Sequence, residues 1–144
     1  MTMTVPRPRI IHAGCVAFRG RGVLILGASG TGKSGLALQL MALGGDLVSD
    51  DRTALAARDG VLIAAAPTSI RGRIEARGVG ILRAKAVSAA RVVMAVDLDA
   101  IEGERLPPPR GTTLLGVDLP VLHGVTGPHF PAAILQYLKG GRAE

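Results

Sequence analysis

Gly27-Ala28-Ser29-Gly30-Thr31-Gly32-Lys33-Ser34 has the spacing G-x-x-x-x-G-K-[ST], the pattern of a loop that cradles the phosphates of a nucleotide. The glycines allow successive backbone N–H groups to turn inward around an anion, and a helix starting at the end of the loop adds its positive dipole end. Lys33 would reach the β- and γ-phosphates, and the Ser34 hydroxyl would sit on Mg²⁺. A glycine-rich turn without a ligand is the competing reading, and the flanking sequence disfavours it. Phosphate binding alone does not choose between ATPase, kinase and switch. Asp50 and Asp51 narrow the choice, because phosphoryl transfer needs metal coordination and a group that accepts the proton of the attacking hydroxyl. Two adjacent acids at a strand end are expected to point to opposite sides and to take different jobs. A solvated turn is the alternative for that pair.

The elements that must position these groups follow from local pattern. Gly22 to Leu26 is a short apolar run that reads as a strand into the loop, and Gly35 to Leu43 reads as a helix out of it, ending at Gly44-Gly45. Ile10 to Phe18 reads as an earlier strand, turned back by Arg19-Gly20-Arg21-Gly22, so a hairpin is expected before the phosphate loop. Leu47-Val48-Ser49 reads as the strand that delivers Asp50 and Asp51. Asp59-Gly60 predicts a second hairpin between Thr53–Ala57 and Val61–Ala65. Ile74 to Ile81 mixes charge with glycine in a way a plain strand rarely does. Arg91 to Leu98 is a buried strand, Thr112–Val117 and Leu119–Leu122 are further strand material, and Pro131 opens a last helix over Ala132–Leu138. The fold class read from this order is α/β, one phosphate-loop domain over residues 10–144 with a mixed sheet, preceded by a flexible arm at 1–9.

A chain of 144 residues suits one domain. No run is long and apolar enough to span a bilayer, and Met1 to Arg9 lacks the apolar core of a signal peptide. Cys15 is the single cysteine and cannot close an internal disulfide; a cytoplasmic setting follows as the expectation. The formal charge of +6 favours acidic or phosphorylated partners. Arg71, Arg73 and Arg77 form only a loose cluster without aromatic interleaving, so neither nucleic acid nor a membrane is expected as a partner.

These motifs together resemble the HPr kinase/phosphorylase family, whose catalytic domain is similar to the nucleotide-binding part of phosphoenolpyruvate carboxykinases. The resemblance rests on His12-Ala13-Gly14, the phosphate loop, Leu47-Val48-Ser49-Asp50-Asp51 and Glu75-Ala76-Arg77-Gly78-Val79-Gly80-Ile81, in that order. It implies an ATP- and Mg²⁺-dependent kinase acting on a serine of an HPr-like phosphocarrier. It assigns proton acceptance to Asp51 with Asp50 in support, an active-site role to His12, phosphate binding to Lys33, and Mg²⁺ ligation to Ser34 and Glu75. It also implies catalytic roles for Arg77 and Arg105, and a homo-oligomer, a hexamer in the family. Taken alone, His12 would serve as a surface or core histidine, Glu75 as an exposed strand residue and Arg105 as a solvated arginine. Three departures stand out. The chain starts almost at the catalytic core, as in a short form of the family. Gly35 replaces an acidic residue, and Gly124 to His129 carries none of the arginines of the corresponding family loop, so weak or absent phosphorylase activity is expected. A small-molecule kinase and a nucleotide-sensing module are the alternative functions.

Overall fold

The computed structural model describes residues 8–144, so most of the expected arm 1–9 lies outside the described residues. Strands β1 (Arg9–Phe18) and β2 (Arg21–Leu26) pair antiparallel through a two-residue turn, with Arg19 at φ 52 and Gly20 at φ 78. Positive φ at both turn residues gives the turn the twist that paired strands require. Helix α1 (Lys33–Ala42) follows the phosphate loop. Its end is closed by Gly44 N–H on Met41 C=O at 3.0 Å and Gly45 N–H on Leu40 C=O at 3.1 Å, which satisfies carbonyls the helix leaves without partners. Strands β3 (Asp46–Ser49), β4 (Arg52–Arg58) and β5 (Val61–Ala65) come next, the last two joined at Asp59-Gly60.

The mixed segment after Pro67 forms a separate hairpin, β6 (Arg73–Ala76) with β7 (Gly80–Arg83). Its glycines serve the turn: Gly78 has φ 82 and Gly80 φ 138. The long β8 (Ala90–Ile101), then β9 (Gly111–Leu114), β10 (Val117–Gly124) and helix α2 (Phe130–Gly140) complete the chain. Leu115-Gly116, both at positive φ, turn β9 into β10, so the break falls inside the expected strand Thr112–Val117 rather than after it.

Eight strands form one mixed sheet that closes on itself. β2 pairs β1 antiparallel and β8 parallel, β8 pairs β5, β5 pairs β4, and β4 returns to β1. The parallel β10 extends the sheet from β8, and β3 pairs β1 beside β4. Strand alternation then sorts apolar residues into two cores. Ala13, Cys15, Ala17, Leu24, Leu62 and Val92 belong to a core drawn from strands only, where small side chains suit a tightly closed sheet. Their sequence neighbours Val16, Val23 and Ile25 face Leu36 and Leu40 of α1 and Phe130 and Ile134 of α2. Each large side chain buried there contributes about 1.5–3 kcal/mol. That outweighs the cost of roughly 1 kcal/mol for Gly35 within α1. Cys15 is fully buried, and burial pushes its thiol up to about 12. Its role in the described structure is packing. Among the described residues no helix is long and apolar enough to cross a membrane.

Candidate active site

The phosphate loop is held from within. Gly27 has φ 151, and a Cβ there would come 2.5 Å from Thr31 Oγ1, so only glycine fits. The Thr31 hydroxyl donates to Ala28 C=O at 2.7 Å. Lys33 is 6% exposed as a residue, and its ammonium donates to Gly27 C=O at 2.8 Å and Ala28 C=O at 3.1 Å. Two of its three protons thus tie the loop across its base, and the third is left for a ligand. Ser29, Gly30 and Gly32 stay exposed, and the first amides of α1 have no preceding turn to bond. A further carboxylate braces the loop: Ala28 N–H donates to Asp99 Oδ1 at 2.9 Å, and Asp99 N–H donates to Asp97 Oδ1 at 2.9 Å.

Asp50 and Asp51 stand in an interruption of what is otherwise one strand along β1. Cys15 pairs with Ser49 before the break and His12 with Arg52 after it, so the register is kept across the two acids. The chain leaves the ladder there in a three-residue turn: Arg52 N–H donates to Asp50 C=O at 2.7 Å, with Asp51 between them at φ 65. Such a backbone is strained for a non-glycine residue and persists only where the surroundings impose it. Two buried hydroxyls occupy carbonyls at the break. Thr53 Oγ1 donates to Ala13 C=O at 2.7 Å, and Ser49 Oγ donates to Arg52 C=O.

This break aims the two acids differently, through the turn rather than through strand alternation. Asp50 Oδ1 accepts from the Ser34 hydroxyl at 2.7 Å, and its Oδ2 accepts from Glu75 N–H at 2.9 Å. One carboxylate therefore joins the end of the phosphate loop to β6. Asp51 Oδ1 lies 2.6 Å from His12 Nε2, with both side chains about half exposed. A carboxylate only accepts, so Nε2 is the donor in that pair. The structure thus brings His12, Asp50, Asp51, Ser34 and the backbone of Glu75 together at one end of the sheet. Asp50, Asp51 and Glu75 border a pocket of about 290 Å³ with Arg52, Arg73 and Ile81. Arg77, at the tip of the β6–β7 hairpin, and Arg105, in the loop after β8, are exposed and do not line that pocket. The arginines that do line it, Arg52 and Arg73, were missed by sequence reasoning. So were Ser49, Thr53 and Asp99, although a hydroxyl on each side of an acid pair and an acid at the end of a buried strand were visible signals.

The donor set suits Mg²⁺. Ser34 and Asp50 put a hydroxyl and a carboxylate in contact, hard oxygens of the kind this ion takes alongside phosphates and waters. Among the described residues no cluster of three His, Cys, Asp or Glu is placed to hold a metal. Glu75 is tied to Asp50 through its N–H, and its side chain is exposed.

The loop that carries Arg105 is clasped at its ends. Arg110 Nε and Nη2 donate to the two carboxylate oxygens of Glu102, each at 2.9 Å. This paired bond holds the Glu102 carboxyl at about 2, against partial desolvation and with help from Glu104 N–H and the charges of Arg110 and His123. A depressed carboxyl stabilises the fold above its unfolded value near 4.5, and that contribution is lost as pH falls toward 2. Glu102→Gln is therefore expected to destabilise the protein at pH 6 and to match wild type near pH 2. Urea midpoints at the two pH values check this; an equal gap at both would count against the clasp.

Known proteins resemble this chain in sequence and in fold. Residues 5–99 match the family described as HPr Serine kinase C-terminal domain. The HPr kinase/phosphorylase of Lachnoclostridium phytofermentans is 42% identical over 96 residues, covering 63% of this chain and 31% of that protein. That of Caldanaerobacter subterraneus is 44% identical over 92 residues, covering 61% and 30%. That of Clostridium botulinum is 42% identical over 72 residues, covering 50% and 24%. The chain thus spans between about a quarter and a third of these relatives' lengths. A solved structure, the Hpr(Ser) kinase/phosphatase from Coxiella burnetii, superposes with a TM-score of 0.76 at 26% identity, covering 91% of this chain and 94% of that one. The mixed α/β sheet with its hairpin before the phosphate loop agrees with that match.

Proposed function

The chain belongs to the HPr Serine kinase C-terminal domain family, and from that premise we propose that it transfers the γ-phosphoryl group of ATP to a serine of an HPr-like phosphocarrier protein. The observation that carries this reading is the break at Asp50-Asp51. One acid contacts the hydroxyl that ends the phosphate loop, and the other faces a pocket large enough for an acceptor side chain. The acceptor serine enters beside Asp51, which takes the hydroxyl proton as the serine oxygen bonds to the γ-phosphorus and the bond to the leaving ADP oxygen breaks. His12 donates to Asp51 and keeps its carboxylate oriented toward the acceptor. Lys33 and the loop amides hold the donor phosphates and stabilise charge on the leaving group. Ser34, Asp50 and Glu75 would hold Mg²⁺, which would supply charge neutralisation for the donor phosphates.

Arg73 and Arg52 are the arginines nearest to hand for the transferring phosphoryl group, since both line the pocket. Arg77 and Arg105 would act only after a movement of the hairpin or loop that carries them. Phosphorylase activity is proposed to be weak or absent, because Gly124 to His129 has no arginine. The domain over residues 10–144 is proposed to self-associate, as a hexamer by family resemblance, and to work in the cytoplasm with neither a nucleic-acid nor a membrane partner. Incubation with labelled ATP, Mg²⁺ and a seryl phosphocarrier tests the central claim: label should appear on the carrier. Nucleotide binding without transfer to that carrier would overturn it.

A further inference from the structure

The hydrogen-bonded ladder between β2 and the parallel β8 ends at the pair Leu26 and Asp97. Two residues on from that pair in each strand, Ala28 N–H donates to the Asp99 carboxylate rather than to a backbone carbonyl. Resting on the phosphate-loop reading above, we propose that Asp99 is a positioning residue for the phosphate donor: through the Gly27-Ala28 peptide it fixes the Lys33 ammonium so that its remaining proton faces the donor phosphates.

One peptide carries the effect. Gly27 C=O and Ala28 N–H belong to the same peptide, and no peptide among the described residues is cis, so the two groups point opposite ways. Lys33 holds the carbonyl edge at 2.8 Å and Asp99 the amide edge at 2.9 Å. Gly27, at φ 151, offers little resistance to rotation of this peptide, because glycine tolerates backbone angles closed to other residues. Asp99 supplies the restraint that the glycine lacks. The end of β8 is packed close enough to do so, since a Cβ at Gly27 would come 3.2 Å from Leu98 Cβ.

Loss of the restraint reaches the lysine. With the peptide turned, Gly27 C=O leaves the ammonium, and its other acceptor, Ala28 C=O, is already shared. Thr31 N–H donates to that carbonyl at 3.2 Å and the Thr31 hydroxyl at 2.7 Å. A buried lysine short of an acceptor turns its ammonium to find another, and the proton aimed at the ligand turns with it. Asp99 is itself aimed by its N–H, which donates to Asp97 Oδ1 at 2.9 Å. The brace therefore runs from β8 to Lys33 through backbone.

Two readouts on the full chain test this, and neither needs an acceptor protein. The chain has only three lysines, of which Lys85 and Lys139 are exposed, so in protein carrying isotopically labelled lysine nitrogen the slowly exchanging ammonium signal belongs to Lys33. Asp99→Ala should abolish that protection and weaken calorimetric binding of inorganic tripolyphosphate by about tenfold, the equivalent of one hydrogen bond to a charged group. Asp99→Asn keeps an acceptor oxygen and drops the charge; it should keep the Lys33 signal and bind within about threefold of wild type. Asp97→Ala should move both readouts in the same direction as Asp99→Ala, by less. Tripolyphosphate affinity within about twofold of wild type in Asp99→Ala would overturn the proposal, and so would a fall in affinity with the Lys33 signal intact. An Asp99→Asn variant as weak as Asp99→Ala would also overturn it, because charge rather than peptide orientation would then be at work. If the wild-type chain bound neither ATP nor tripolyphosphate, the phosphate-loop reading itself would fall, and the proposal with it.

Discussion

Asp51→Asn is expected to slow phosphoryl transfer to a seryl acceptor by about 1,000-fold, the middle of the range for loss of a positioned general base. Nucleotide binding and thermal stability should stay close to wild type. Asparagine is the replacement that isolates the chemistry, because it keeps the size of the side chain and tolerates the positive φ of 65 found at this position. It can still accept a hydrogen bond from His12 through its amide oxygen, so the pair at 2.6 Å need not be lost. What it cannot do is take up the serine proton. Transfer rates under single-turnover conditions, with melting curves and calorimetric ATP affinity in parallel, separate these effects. If the variant kept more than about a tenth of the wild-type rate, Asp51 would not be the base and the general-base estimate would not apply.

Asp50→Ala is expected to act by another route. Its carboxylate accepts from Ser34, 16 residues before it, on one oxygen and from Glu75 N–H, 25 residues after it, on the other, and so joins α1 to β6. Removing it leaves both donors without that partner, at a cost of about 1–3 kcal/mol in stability. It also frees Ser34 from the contact that would orient its hydroxyl toward the proposed Mg²⁺. Loss of a supporting contact of this kind lowers metal affinity by about 10- to 100-fold. The Mg²⁺ dependence of ATP binding should therefore shift to higher Mg²⁺, while ATP affinity measured without the ion changes little. Titrating Mg²⁺ at fixed ATP and following binding rather than turnover gives the readout. An unchanged Mg²⁺ midpoint would remove Asp50 from the metal site and leave it a purely structural strut.

The two acids illustrate how far sequence reasoning carried. That both belong beside the phosphate loop followed from their place at the end of a short apolar strand. That they take different partners was expected from strand alternation, and the partners do differ, but the cause is the turn at Asp51. Alternation cannot operate where the chain has left the ladder. Ser49 and Thr53 flank the acid pair in the sequence, but their work is to occupy carbonyls at the break, a need that exists only once β3 and β4 share a register along β1. Asp99 was missed for a similar reason: its partner, Ala28 N–H, is 71 residues away.

By itself, the sequence determined the local elements and the loop chemistry. The hairpins at Arg19-Gly20 and Asp59-Gly60, the helix ending at Gly44-Gly45, and the phosphate loop with its strand and helix are all short-range consequences of turn residues, caps and periodicity. Only the tertiary structure decided that β8 lies against β2 and closes the sheet, and that His12 meets Asp51 across 39 residues. Those outcomes depend on which apolar faces bury one another. Periodicity marks a face as apolar without naming the face it will cover, and that pairing is fixed only when the two cores pack.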